Sequence, residues 1–185
     1  MKKILILLLL IFPNIAMAGE TAKYEVIEKI SDNIEIRQYQ NMMLATIATG
    51  VDAKGNRNFR SLFKFISGEN KKEQKISMTT PVFREKIKDK RVMSFVMPEK
   101  FNKNNTPAPN NKNIKIEIVK NVKFIAITFS GRWSESNFNE QQEILTRLVK
   151  EKNINADIAN PVRAYYNSPM ALPFLRKNEV LFRVK

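Results

Sequence analysis

The feature that most constrains this chain is an internal repeat. Leu44-Ala45 recurs as Ile125-Ala126 and Gly50 recurs as Gly131, at one constant offset of 81 residues. Around these anchors the two halves carry the same succession of patterns. Residues 33–39 alternate apolar and polar side chains, as a half-buried strand does. A turn at Gln40-Asn41 leads to a second strand over 43–49. A helix follows, with Phe59, Leu62, Phe63 and Ile66 at the i, i+3, i+4, i+7 spacing of one buried face and Gly68 placed to stop it. Strands over 76–83 and 92–97 complete the first unit.

In the second half Ile114, Ile116 and Ile118 alternate with Lys115 and Glu117, and a turn at Asn121 leads into a strand over 123–129. A helix over about 137–152, capped by Ser136 or Asn137, carries Phe138, Leu145, Leu148 and Val149 on its apolar side. Strands over 162–167 and 179–184 close the copy. Neither β-β-α-β-β unit can bury both a sheet face and a helix face alone. The expected fold is therefore α+β, one pseudo-symmetric domain of two antiparallel four-stranded sheets curled towards a barrel, each carrying a helix. Residues 101–113 read as a polar, flexible surface connection between the copies.

Ahead of the repeat, Lys2 and Lys3 precede nine consecutive apolar residues, and Ala16-Met17-Ala18 has the small-x-small form of a cleavage site. That is the layout of a secretory signal peptide, too short to span a bilayer. The expected organisation is a cleaved segment 1–18 and a single domain 19–185 in a periplasmic or secreted setting. The chain has no cysteine with which to use the disulfide-permissive chemistry of that setting.

The formal charge of +14 becomes +12 without Lys2 and Lys3. Such a charge favours anionic partners, a ligand carboxylate or an anionic lipid surface among them, and it also suits a generally basic surface. Export and the absence of interleaved basic and aromatic runs argue against nucleic acid. With neither histidine nor cysteine, the chain lacks a serine-histidine triad, a thiol nucleophile and an ordinary zinc site. It has no Gly-rich phosphate loop. Glu25 with Glu28, and Asp32 with Glu35, read as solvated strand ions. The expectation is a non-enzymatic binder.

Four short segments carry a family resemblance. Tyr24-Glu25-Val26 with Ile34-Glu35-Ile36-Arg37 opens the domain. Lys75-Ile76-Ser77-Met78-Thr79-Thr80-Pro81-Val82 lies at its centre, Ser94-Phe95-Val96-Met97-Pro98 follows, and Arg176-Lys177-Asn178-Glu179-Val180 closes it. Together they resemble the SOUL heme-binding protein family over residues 21–185. The resemblance implies a distorted eight-stranded antiparallel barrel flanked by two helices, and heme as the ligand. It places the ring in a groove beside the first helix, where Phe59 and Phe63, with Leu62 between them, would line it. Plain packing on the sheet is the alternative for these residues. Arg176 and Lys177 would meet the propionates, or else serve a structural salt bridge.

The usual histidine or cysteine ligand for heme iron is missing, so the ring would be held mainly by apolar contact. Met42, Met43, Met78, Met93, Met97 and Met170 are thioether donors that also suit core packing, and Tyr39, Tyr165 and Tyr166 are phenolate donors. Two other readings stay open. One is a binding module for another lipophilic or amphiphilic small molecule; the other is an envelope protein contacting anionic lipid.

Overall fold

A computed structural model describes residues 19–50 and 56–185, so the expected export segment 1–18 lies outside the described residues. In chain order the elements are β1 (Glu25–Lys29), β2 (Ile34–Gly50), α1 (Arg57–Ile66), β3 (Val82–Ile87) and β4 (Lys90–Val96). There follow β5 (Ile114–Phe129), α2 (Glu135–Glu151), β6 (Val162–Tyr165) and β7 (Asn178–Val184). All strand pairings are antiparallel, in the order β1-β2-β4-β3-β6-β7-β5, and β5 returns to β2. Six strands thus close a barrel, and β1 adds to it along the first half of β2.

Of the eight strand segments expected from the repeat, seven lie where expected and the one expected over 76–83 is shifted to Val82–Ile87; four of the eight are joined in pairs. Residues 33–39 and 43–49 merge into β2, and the two segments of the second half merge into β5. The two long strands pair in one constant register, from Ile34 opposite Ile127 to Ile47 opposite Ile114. The turns expected at Gln40-Asn41 and Asn121 are therefore points of twist. Before them β2 turns Ile34 and Ile36 toward the helices, and after them Ala45 and Ile47, a change from even to odd positions. The same change separates Ile114 from Ile125 and Ile127 on β5. Asn121 absorbs the twist at a φ of 48°, a left-handed conformation that asparagine tolerates. A strong local twist lets one strand serve both halves of a small closed barrel.

Two apolar clusters follow from this geometry. One draws on the strands and both helices, and includes Ile36, Ile47, Leu62, Phe65, Phe95, Ile125, Phe138, Leu145 and Phe182. The other draws on strands alone, among them Tyr39, Leu44, Phe83, Phe124, Ala164 and Leu181, and fills the barrel interior. The barrel is a packed core sandwiched against a helical layer.

The helices differ from expectation in phase and cap. The buried side of α1 is Asn58, Leu62, Phe65 and Ile66, so Phe65 points inward and Phe63 stands half-exposed. Two stripes sharing Leu62 and Ile66 fit the sequence equally well. Asn58 decides between them, because its side-chain amide donates to the Arg91 carbonyl at 3.0 Å and pins that face to β4. Gly68 ends α1 with a φ of 118°, as expected. For α2 the cap is Ser134, whose hydroxyl accepts from the Asn137 backbone N–H at 3.2 Å. Asn137 instead donates its side-chain amide to the carbonyls of Ser130 and Arg132.

The central Met-Thr-Thr-Pro-Val landmark leads into β3 without being strand itself until Val82. Ile76 is buried, the Thr79 hydroxyl donates to the Val96 carbonyl, and the Thr80-Pro81 bond is cis. Thr80 also exchanges backbone bonds with residues 20–22, donating to the Glu20 carbonyl and accepting from Ala22. The segment therefore fastens the entrance of β3 to the end of β4 and to residues 20–22.

Candidate functional site

Two neighbouring regions along β2 hold the chemistry of this fold. The first is a buried polar cluster. β2 and β7 present Arg37 and Glu179 to each other, and neither side chain has any exposed surface. Both terminal nitrogens of Arg37 bond the Glu179 carboxylate, with Nη1 at 3.1 Å from Oε1 and Nη2 on Oε2. Glu179 also accepts from the Thr128 hydroxyl at 3.2 Å, the Tyr166 hydroxyl at 2.8 Å and the Lys177 ammonium at 3.1 Å. The Arg37 guanidinium lies 4.2 Å from the ring centre of Tyr24 and 5.4 Å from that of Tyr39.

Burial disfavours both charges, and each ion answers the penalty of the other. Against the cost of burial, the facing Glu179 charge raises the Arg37 pKa above its ordinary value. Burial opposes the Glu179 charge too, but Arg37, then Lys177 and Tyr166, hold its carboxyl below the usual range. Burial, with the nearby carboxylate charge, pushes the Tyr166 hydroxyl well up, so it donates as a neutral phenol. Arg37 Nη1 also lies 3.3 Å from Glu35 Oε1, while Arg37 Nε and the Tyr39 hydroxyl are buried without a hydrogen-bond partner among the described residues. The Glu179 carboxylate itself is left no free edge for acid–base work.

The second region is a groove at the twist of the long strands. Met42 faces the barrel interior and Met43 the helical side; Met97 is joined to Met43 through a 2.8 Å backbone bond. A tight turn at Pro98 brings Phe101 down onto the same place, where it is buried. The resulting cavity of about 420 Å³ is lined by Met42, Met43, Val96, Met97, Phe101 and Ile118, with Lys23, Lys103, Lys120, Glu20 and Glu99 around it. An adjoining cavity, also about 420 Å³, shares Met43, Ile118 and Lys103 and continues beneath Thr106 to Pro109.

The loop over 101–113 forms one wall of the groove and is tied down at several points. Thr106 Oγ1 donates to the Met43 sulfur at 3.0 Å and to the Asn102 carbonyl at 2.7 Å. The Lys71 N–H donates to the Ala108 carbonyl, joining the loop to the chain beyond α1. Of the rim cations, Lys23 pairs with Glu99 at 2.7 Å. Lys103 and Lys120 are exposed and make no ion pair among the described residues.

The residues singled out from sequence do not converge. Leu62 is fully buried against the sheet. Phe59 stacks on Phe63 with ring centres 5.9 Å apart and meets Phe95 edge-on, leaving Phe63 49% exposed. Arg176 lies 4.8 Å over the Trp133 ring and donates to the carbonyls of Ala171 and Pro169. Lys177 lies over Tyr166 and bonds Glu179. No hydrogen bond, ion pair or ring contact among the described residues joins the α1 pair to the Arg176-Lys177 pair. The groove residues that sequence reasoning did not assemble carried one signal, the crowding of methionine at 42, 43 and 97.

Heme can be tested against these residues. Its flat apolar body needs an apolar concavity, its propionates need cations, and its iron takes soft or anionic donors. The groove has an apolar floor, two lysines free of ion pairs on its rim and three thioethers. These residues fit the group. Among the described residues there is no cluster of three or more histidine, cysteine, aspartate or glutamate side chains able to hold a free metal ion.

Comparison with known proteins places the architecture. The chain superposes on the crystal structure of the EcmrR C-terminal domain with a TM-score of 0.58 at 12% identity, covering 88% of this chain and 98% of that one. A hydrolase encoded by lin2189 from Listeria innocua superposes with a TM-score of 0.59 at 11% identity, covering 83% and 92%. At such identities the likeness is one of fold. No curated protein matches. The model of the SOUL heme-binding protein family matches residues 19–183. The opening and closing landmarks of that resemblance meet in space as the Arg37–Glu179 pair, and the chain belongs to the SOUL heme-binding protein family.

Proposed function

We propose that this protein is an exported, non-enzymatic binder of heme or a related tetrapyrrole, and that the ring enters the methionine-lined groove. One observation carries the reading: a 420 Å³ concavity with Met42, Met97 and Phe101 on its floor and the free cations Lys103 and Lys120 at its rim. The cavity lies in the size range of ligand pockets, and it extends into the neighbouring one along Ile118 and Met43. α1 offers Phe63, half-exposed, and Phe59 stacked on it as an apolar patch.

In this reading Met42, Met97, Phe101 and Ile118 hold the macrocycle by apolar contact, and Lys103 and Lys120 fix the acidic edge. Burying about 200 Å² of ring surface contributes roughly 5 kcal/mol before the cost of association. Bound heme supplies a redox-active iron, for which Met42 and Met97 are the neutral soft donors at hand. Arg37, Glu179 and Tyr166 keep the adjoining barrel wall rigid and take no part in contacting the ring.

Titration of the mature protein with hemin and with metal-free protoporphyrin, followed by Soret absorbance and Trp133 fluorescence, tests the proposal. Saturable binding of both with similar affinity supports apolar retention. A marked preference for hemin assigns weight to a thioether on iron, and Met97→Ala would then remove the preference. No saturable binding of either compound overturns the function. Export is tested separately: protein recovered from its own envelope should begin at residue 19.

A further inference from the structure

The loop between β6 and β7 carries a concentration of apolar surface that the barrel does not use. Met170 is 90% exposed, Leu172 55%, Phe174 69% and Leu175 66%. Together they present on the order of 500 Å² of apolar surface, at the size where an exposed patch marks an interaction site. The loop is also built to hold this shape. Arg176 bonds the carbonyls of Ala171 and Pro169, its guanidinium rests over Trp133, and the Gly131 N–H donates to the Pro173 carbonyl at 2.9 Å. A single 3-10 turn, Pro173–Leu175, sets Phe174 and Leu175 side by side. Energy spent on ordering an apolar tip outward is unexplained by folding alone.

We propose that this tip inserts into the interface of an anionic phospholipid bilayer. The charge of the chain favours that occupant. Between Asp157 and Glu179 there is no carboxylate, and Arg176 has no ion pair among the described residues. Arg163 and Lys177 pair with Glu135 and Glu179 at the base of the tip, and without Lys2 and Lys3 the chain carries +12. Basic residues beside a few exposed apolar side chains are the elements of peripheral membrane binding. A protein partner is disfavoured by area, since a stable interface takes about 800 Å² from each side. No helix among the described residues is long and apolar enough to cross a membrane, and the tip needs only interfacial depth.

The test uses the mature protein and sedimented vesicles of phosphatidylcholine, alone or with phosphatidylglycerol. Trp133 is the sole tryptophan and lies under Arg176, so its quenching by brominated lipid reports insertion at this loop. Binding to the mixed vesicles should be quenched, should fall with added salt, and should weaken roughly 30-fold in the Phe174→Ser/Leu175→Ser variant. Both positions are exposed, so unchanged thermal melting and an unchanged hemin titration show that the variant is folded and its groove intact. Equal vesicle binding by the variant, or binding without quenching of Trp133, overturns the proposal. So does a wild-type dimer in solution that the same variant dissociates, because that outcome assigns the tip to a second copy.

Discussion

The polar cluster at Glu179 and the groove at Met43 use related materials to opposite ends. In the cluster every charge is answered: Arg37 meets Glu179 and rests on Tyr24, and Lys177 covers the remaining edge of the carboxylate. In the groove the apolar floor is open and Lys103 and Lys120 face no carboxylate partner among the described residues. A buried ion pair whose charges answer each other holds the fold, whereas an unpaired cation at a hollow is available to a ligand. The comparison also separates family landmarks from the ligand site. Arg37, Glu179 and Thr79 join strands, and of the landmarks only Thr79, Val96, Met97 and Pro98 also line the groove.

The sharpest way to break this comparison is to unbalance the cluster. Glu179→Ala removes the bidentate partner of the buried Arg37 guanidinium, leaves it only the partly exposed Glu35 carboxylate at 3.3 Å, and should cost about 3 kcal/mol in denaturant unfolding. The paired replacement Arg37→Met with Glu179→Leu removes both charges together and should recover much of that loss. If the single variant loses less than the double, Glu35 alone answers the Arg37 charge and Glu179 is not its main partner.

Acid should act on the same pair. The folded Glu179 pKa lies below its ordinary value of 4.5, so the folded state binds its proton more weakly than the unfolded state. The stability from this group is fully present above about 4.5 and drains away as pH falls through the depressed folded value. Melting temperature should therefore fall more steeply below that point in the wild type than in the Arg37→Met/Glu179→Leu variant. Parallel acid limbs would remove Glu179 as their source.

These expectations rest on contacts that the sequence hides. The repeat at an offset of 81 made both helices, the strand segments and the closed α+β architecture legible, because alternation and helical spacing are local patterns. Arg37 and Glu179 are 142 residues apart, and only barrel closure brings them together. The joining of strands through Gln40 and Asn121 escaped a local reading because a strand that twists and changes face has the same pattern as two strands across a turn. The α1 phase escaped it because Leu62 and Ile66 belong to both candidate stripes, and a polar residue, Asn58, chose between them. The methionines were visible one by one. Their meeting depends on the Met43–Met97 backbone bond and on the turn that lowers Phe101.

The groove side of the comparison is sharpened by charge reversal. Lys103→Glu with Lys120→Glu should lower affinity for protoporphyrin about tenfold, in keeping with the loss of charge-assisted contacts at an exposed rim. Unfolding free energy should stay within about 0.5 kcal/mol, since neither lysine pairs with another described residue. Unchanged affinity would move the ring away from this rim, with Phe63 on α1 the next surface to test.

The smallest effect compares the two halves of the repeat themselves. Ser134 caps α2 through its hydroxyl, while Asn56 precedes α1 without a side-chain cap bond. Ser134→Ala should cost about 1 kcal/mol, and Asn56→Ala only a few tenths, although an asparagine is as good a cap residue by type. The asymmetry has a reason in packing. The first turn of α1 is held instead by Asn58, whose amide reaches the Arg91 carbonyl of β4, so Asn58→Ala should cost more than Asn56→Ala. Equal losses at Asn56 and Ser134 in denaturant melts would mean that both copies start their helices alike, and that the tertiary anchor at Asn58 adds little to the entry of α1.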